Sequence, residues 1–331
     1  MRILPLEYAV RNLARSRVRL AASLIGATLV VLLALAAAGF VRGMQLTLTQ
    51  PAPLHENVIL LGAGSEEAIE RSQIDASVDA IAAASIPGLR TQAGITFASP
   101  EIHIALPIRE APDSAAELQG VLRGVRAVAL LVHPQVEMTA GRFPLQGDSE
   151  IMVGSLAAAR LGLPSSRLAI GQTLHIAERP WTIVGQFRAP QTVMDAEIWL
   201  PINDLQVATR RESSLSCVVL SLPTPSSGKA SAPTSTRPAT FGDIDLFAKS
   251  RLDLEITAIR ERDYYSSIAA FYAPIRIMVI VTALLIASGG ILGGLNTMYA
   301  AFASRVREIA MLQSLGFARR AIVLSLSLIH I

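Results

Sequence analysis

The sequence predicts an α-helical integral membrane protein with a large α+β extracytoplasmic domain inserted between transmembrane helices 1 and 2. Three observations carry that prediction. Two long runs, Leu20–Val41 and Ile277–Ser304, contain no charged residue. Charge is segregated: residues 1–42 sum to +5, residues 276–331 to +4 and residues 43–275 to −6, within an overall +3. Between the two runs, Gly and Pro cut the chain into short β-like stretches interrupted by a few helical periods. The 51% hydrophobic content and mean hydropathy of +0.46 exceed what a soluble domain usually shows.

Residues 1–19 form the first element, a cytoplasmic amphipathic entry helix. Leu6, Val10, Leu13 and Ala14 fall on one side, and Arg11, Arg15 and Arg19 recur every four residues on the other. Residues 20–41 are transmembrane helix 1, closed by Arg19 and Arg42. At about 1.5 Å per residue the run crosses a hydrocarbon core of roughly 30 Å. A cleaved signal peptide, processed near Ala36-Ala37-Ala38, is the alternative. The run is longer than a signal's apolar region, and a second span follows it.

Residues 42–275 are the extracytoplasmic domain and its stalk. Asn57–Leu61 reads as a strand, and Ile74, Val78 and Ile81 as a helix ending at Pro87-Gly88. Ile102, Ile104, Leu106 and Ile108 alternate as a strand with one wet face. Thr182–Gly185 and Glu197–Leu200 read as strands, Ala157–Leu161 as a helical turn, Asp243–Phe247 as a helix start and Leu252–Ile259 as a return strand. Residues 222–238 are Pro/Ser/Thr-rich and read as a mobile loop. Tyr264, Tyr265, Phe271 and Tyr272 fit either an aromatic belt at the membrane surface or packing against the outer domain. Pro274 suits a hinge near that surface.

Residues 276–304 are transmembrane helix 2. Gly289, Gly290, Gly293 and Gly294 make overlapping small-xxx-small pairs, a face for close helix packing within one subunit or between two. Residues 305–320 are a cytoplasmic loop, basic and amphipathic. Arg305, Arg307, Glu308 and Arg319 supply polar contacts, and Ile309, Leu312 and Leu315 an apolar face before Gly316. Residues 321–331 begin a third span too short to cross, so the chain reads as a fragment. Short basic flanks stay cytoplasmic, which places both visible ends inside and residues 43–275 outside.

The sequence argues against several chemistries. Gly228-Lys229 lacks the rest of a phosphate-binding loop, so ATP hydrolysis is expected elsewhere. His55, His103, His133 and His175 are scattered with no metal-ligand spacing, and no G-x-S-x-G elbow accompanies the serines. No cofactor, metal or catalytic residue is therefore expected. Glu261 and Asp263 read as a solvated stalk face. Cys217 is the single cysteine, so the domain must hold together through its core. The basic residues are juxtamembrane, which excludes a nucleic-acid partner and implies the lipid bilayer.

Four stretches together resemble the FtsX/MacB-like family of ABC-transporter permeases. Glu7–Leu20, with Arg11-Asn-Leu13, looks like the family's entry helix. Gly120–Phe143 and Glu150–Pro201 are similar to the MacB-type periplasmic core, through Arg123-Gly-Val125, Ala140-Gly-Arg142, Ile170-Gly-Gln172, Trp181–Gly185 and Trp199-Leu-Pro201. Arg305–Phe317, with Arg307-Glu-Ile309 and Leu315-Gly316, looks like its cytoplasmic loop, although Ser304 and Ala310 stand where the family often has Glu and Gly. The resemblance implies a permease of the bacterial inner membrane with a second permease copy, homologous or identical. It also implies a cytoplasmic ABC ATPase subunit docked at Arg305–Gly316, and leaves room for a periplasmic adaptor. Such a machine relays ATP-driven motion outward to export a drug, peptide, lipid or lipoprotein. A relay controlling an extracytoplasmic partner such as a cell-wall hydrolase is the alternative.

Overall fold

The computed structural model describes residues 17–48, 56–114, 116–223, 237–271, 273–314 and 316. Most of the entry helix, most of the 222–238 loop and everything expected of residues 317–331 lie outside them. The chain divides into two compact units, Gln45–Phe271 and a second made of Met1–Met44 with Tyr272–Ile331.

Helix α1 (Arg17–Leu48) has no acidic residue in its first turn and no basic residue in its last. Its window Ile25–Gly43 is long and apolar enough to cross a membrane, and none of that window is buried. Ile25 is 68% exposed and Leu35 67%. The core helix of a soluble protein would have buried such side chains.

A ten-stranded sheet organises the Gln45–Phe271 unit. In chain order its strands are β1 (Asn57–Gly62), β2 (Ala98–Arg109), β3 (Leu118–Val125), β4 (Glu137–Gly141), β5 (Glu150–Gly154), β6 (Thr173–Ile176), β7 (Arg179–Arg188), β8 (Ile198–Pro201), β9 (Cys217–Ser221) and β10 (Ile256–Arg260). They lie side by side as β10-β1-β9-β2-β3-β8-β5-β7-β4, with β6 paired to β7 and β2. Pairs β8–β3 and β7–β5 are parallel. Strand β2 joins the two halves: Ala98–Glu101 pairs with β9, and Ile102–Ile108 with β3.

Around the sheet run α2 (Val78–Ser85), α3 (Ala129–Val132), α4 (Ala157–Leu161), α5 (Ile202–Thr209), α6 (Phe241–Ser250) and α7 (Glu261–Phe271). The alternation of side chains along a strand assigns each residue to a face. Val58 and Leu60 of β1, Ile102 of β2, Leu122 of β3, Ile198 and Leu200 of β8 and Val218 and Leu220 of β9 share one core. Val78 of α2, Leu161 of α4, Leu205 of α5 and Phe247 of α6 close it. The opposite face carries two separate apolar patches. One holds Ile59, Leu61, Phe97 and Val219 with Tyr264 and Tyr265 of α7, and the other Val125, Met152, Phe187, Met194 and Trp199.

Several sequence expectations need correction. Ile74 belongs to a two-residue strand paired with Ser214–Leu215, and the helix begins at Val78, after a turn in which Ser77 donates its N–H to Asp75. Leu252–Leu254 is a 3-10 turn, and the return strand starts at Ile256 after Glu255 adopts a φ of +48°. Helix α6 starts at Phe241, because Thr240 and Asp243 form a reciprocal capping box. Tyr264 and Tyr265 are buried in the Gln45–Phe271 unit, which supports packing against the domain over an interfacial belt.

Beyond Tyr272 the chain forms α8 (Ala273–Ser304) and, after Arg305, α9 (Val306–Ser314). Pro274 stands in the first turn of α8, where a missing N–H costs no helical hydrogen bond. Ile277, Leu284, Leu285, Ile291 and Leu292 are all more than half exposed.

Candidate functional site

On the face of the sheet that carries two apolar patches, the gap between them is filled by charge. Asn57 of β1, Glu101 and His103 of β2, Arg123 of β3 and Trp199 of β8 alternate with residues of the main core, so the strand period points them all to this side. Glu197 precedes β8, His133 ends α3 and Glu261 opens α7. None of the ionisable members is more than 6% exposed.

Arg123 is the hub. Its Nε and Nη2 donate to Glu197 at 2.7 and 2.8 Å, and its Nη1 donates to Glu101 Oε2 at 2.8 Å. The forked pair matches the planar geometry of guanidinium and carboxylate. Trp199 Nε1 donates to Glu197 Oε2 at 2.9 Å, and the Arg123 guanidinium stacks 5.4 Å from the Trp199 ring centre. Glu101 also meets His103 Nε2 at 3.1 Å and His133 Nε2 at 2.8 Å. His133 Nδ1 lies 3.7 Å from Glu261 Oε1, and Asn57 Nδ2 donates to Glu261 Oε2 at 2.8 Å and to the Val132 carbonyl at 3.1 Å.

Burial disfavours the charged forms of Glu101, Glu197 and His133, and their neighbours outweigh it. Glu101 is held well below the usual carboxylate range against the cost of burial, by the charges of His133 and Arg123. Glu197 is lowered against the same cost by Arg123. His133 is raised despite its burial, chiefly by Glu101 and secondarily by Glu261. Tyr264 is pushed up to about 12 by burial, and its hydroxyl accepts the Ile69 N–H at 3.3 Å.

Glu101, His103 and Cys217 bring three potential metal-donor atoms within 4.8 Å of one another. The donor chemistry does not suit a cation as it stands. Both Glu101 oxygens already accept hydrogen bonds, one from Arg123, and burial with the Glu101 charge pushes the Cys217 thiol well above its ordinary value.

Sequence reasoning missed this cluster. Two of the four histidines read as scattered, His103 and His133, are brought to one carboxylate, and Glu261, expected on a solvated face, is buried; Asp263 beside it is exposed. The wet face of β2 is found only at Ala105 and Pro107, because His133 at the end of α3 covers Glu101. One signal was available: a Glu and a His alternating with isoleucines in a strand too apolar to lie at a sheet edge.

The residues singled out in the sequence for coupling sit on and around α9. Arg307 is exposed, Arg305 and Ile309 are half-buried, and Gly316 takes a φ of +85°, a left-handed conformation suited to glycine. Glu308 and Leu312 lie on the helix, and Leu315 falls outside the described residues. Of the four packing glycines, Gly290 approaches α1: a Cβ there would stand 3.2 Å from Val30 Cγ2. At Gly289, Gly293 and Gly294 a Cβ would meet nothing within 4 Å.

Comparison with known proteins supplies the context. The family described as MacB-like periplasmic core domain matches residues 20–232. No curated protein sequence matches the chain. Among solved structures, the periplasmic region of MacB from Actinobacillus actinomycetemcomitans is 10% identical, with a TM-score of 0.43 over 64% of this chain and 92% of that one. The extracellular domain of the noncanonic ABC-type transporter YknZ from Gram-positive bacteria is 14% identical, with a TM-score of 0.37 over 52% of this chain and 84% of that one. With well over half of its length matched by the family, the chain belongs to the MacB-like periplasmic core domain family.

Proposed function

We propose that this chain is the permease subunit of an ABC transporter, a non-catalytic membrane component that carries motion from a cytoplasmic ATPase to an extracytoplasmic domain. The observation that carries the reading is the arrangement along the chain. A MacB-like domain is inserted between two helices of membrane-spanning length, and the second helix runs into a short helix that carries Arg307 and Glu308. In this reading α1 and α8 cross the inner membrane, residues 42–275 face outward, and residues 305–320 grip the ATPase. At about 1.5 Å per residue, the 32 residues of α8 reach about 48 Å, beyond the roughly 30 Å hydrocarbon core. The surplus can extend the helix past the bilayer as a stalk.

Arg307 and the apolar residue Ile309 supply the grip, with Gly316 ending the helix. Gly289 and Gly294 offer a close-packing face to a second permease copy, while Gly290 serves the contact with α1. Exported substrates of the drug, peptide, lipid or lipoprotein class fit a permease with a large outer domain. The test exchanges Arg307→Glu together with Glu308→Arg and follows co-purification of the partner ABC ATPase in membranes. Loss of at least tenfold in recruited ATPase, with the outer domain still folded, is the expected result. Undiminished recruitment would remove the docking role from this helix.

A further inference from the structure

The buried charge cluster is unbalanced as drawn. Three carboxylates, Glu101, Glu197 and Glu261, face one guanidinium, Arg123, in a site almost closed to solvent. Buried charge without compensation is costly, and the ordinary relief is a change of protonation. His133 is placed to provide it. It is fully buried, and each ring nitrogen faces a different carboxylate: Nε2 lies 2.8 Å from Glu101, and Nδ1 lies 3.7 Å from Glu261. A neutral imidazole has one N–H and one lone pair, so it can satisfy only one of these acids while its lone pair confronts the other. The protonated ring donates from Nε2 to Glu101 and turns a charged Nδ1–H toward Glu261 at ion-pair distance.

The elements joined are consequential. Glu101 belongs to β2, the strand shared by both halves of the sheet, and Glu261 is the first residue of α7, which precedes α8 by a single residue. We propose that a proton on His133 latches the first turn of α7 to the centre of the sheet, and that the latch slackens when the proton leaves. The groups acting on His133 are Glu101 from β2, Arg123 from β3, Glu261 from α7 and Trp199 from β8; His103 reaches the cluster through Glu101, Asn57 through Glu261 and Tyr265 through Arg123. Arg123 opposes the proton, yet both Glu101 and Glu197 already claim its guanidinium. The latch is a property of the outer unit and stands whether or not the chain exports anything.

Trp199 offers a direct reporter. Its ring lies edge-on to His133 with centres 6.2 Å apart, and a protonated imidazole quenches indole emission more strongly than a neutral one. The experiment uses the full chain in detergent or nanodiscs from pH 5 to 9. It follows tryptophan emission together with hydrogen exchange of the α7 amides, corrected for intrinsic pH dependence. Emission should rise in one step above the ordinary histidine value of about 6.5. Protection of α7 should fall over the same range, about tenfold for each pH unit separating the bound and free proton affinities. In His133→Gln both changes should vanish. In Glu261→Gln the emission step should persist, because Glu101 still faces the ring, while α7 protection loses its pH dependence. A step that survives His133→Gln, or α7 protection that does not follow the wild-type step, overturns the proposal. If His133→Gln does not fold, the Glu261→Gln arm decides: wild-type pH dependence of α7 there also overturns it.

Discussion

Arg123 shows how one residue can decide whether a polar interior is tolerable. It satisfies two carboxylates from β2 and the start of β8, and stacks on Trp199. Replacing it with leucine strands Glu101 and Glu197 without their cation, and removing one member of a buried pair costs about 3–5 kcal/mol. Arg123→Leu should therefore lower the chemical-unfolding free energy of the outer domain by that amount, whereas Arg142→Leu, whose pair with Glu150 is half in solvent, should cost far less. Glu101 has a lowered pKa, so its stabilisation is complete above the ordinary carboxylate value and fades as pH falls through the lowered one. His133 has a raised pKa, so its contribution is complete below about 6.5 and fades as pH climbs through the raised value. The melting temperature should peak between those limits, and Glu101→Gln should flatten the acid side of the curve. Little of this was legible in the sequence. Asn57 and Glu261 are 204 residues apart, and no local pattern says that a long chain will bring such partners together.

Elements were more legible than sites, because apolar periodicity records burial directly. The uncharged runs became α1 and α8, and Ile102, Leu106 and their alternating neighbours became β2. Reading failed where coverage on the far face matters: β2 looks half-wet in sequence, yet α3 closes over its first half. The tyrosine pair left two readings open for a related reason, since an aromatic cluster beside a span suits both lipid headgroups and a protein core. Between helices, the small Gly290 admits Val30, and a side chain there must displace the valine by a few tenths of an ångström. Gly290→Leu should cost about 1–3 kcal/mol of thermal or chemical stability in detergent. Gly290→Ala should change it little. Gly294→Leu, where a Cβ meets nothing within 4 Å, should leave that contact intact and reduce cross-linking between permease copies.

At the scale of the molecule, the family assignment and the charge segregation converge on an inserted outer domain held between two apolar helices. The basic ends and the acidic middle are visible from composition alone, and the proposed topology rests on them. The central claim is that the sheet domain and α9 lie on opposite sides of the membrane. It is tested most directly by substituted-cysteine labelling of intact cells with a membrane-impermeant thiol reagent, at the exposed positions Asp148→Cys and Gln313→Cys. Cys217 is buried, so the native background is low. Labelling at 148 before lysis, with labelling at 313 only after lysis, is the result this account predicts; equal accessibility of both positions in intact cells would contradict it.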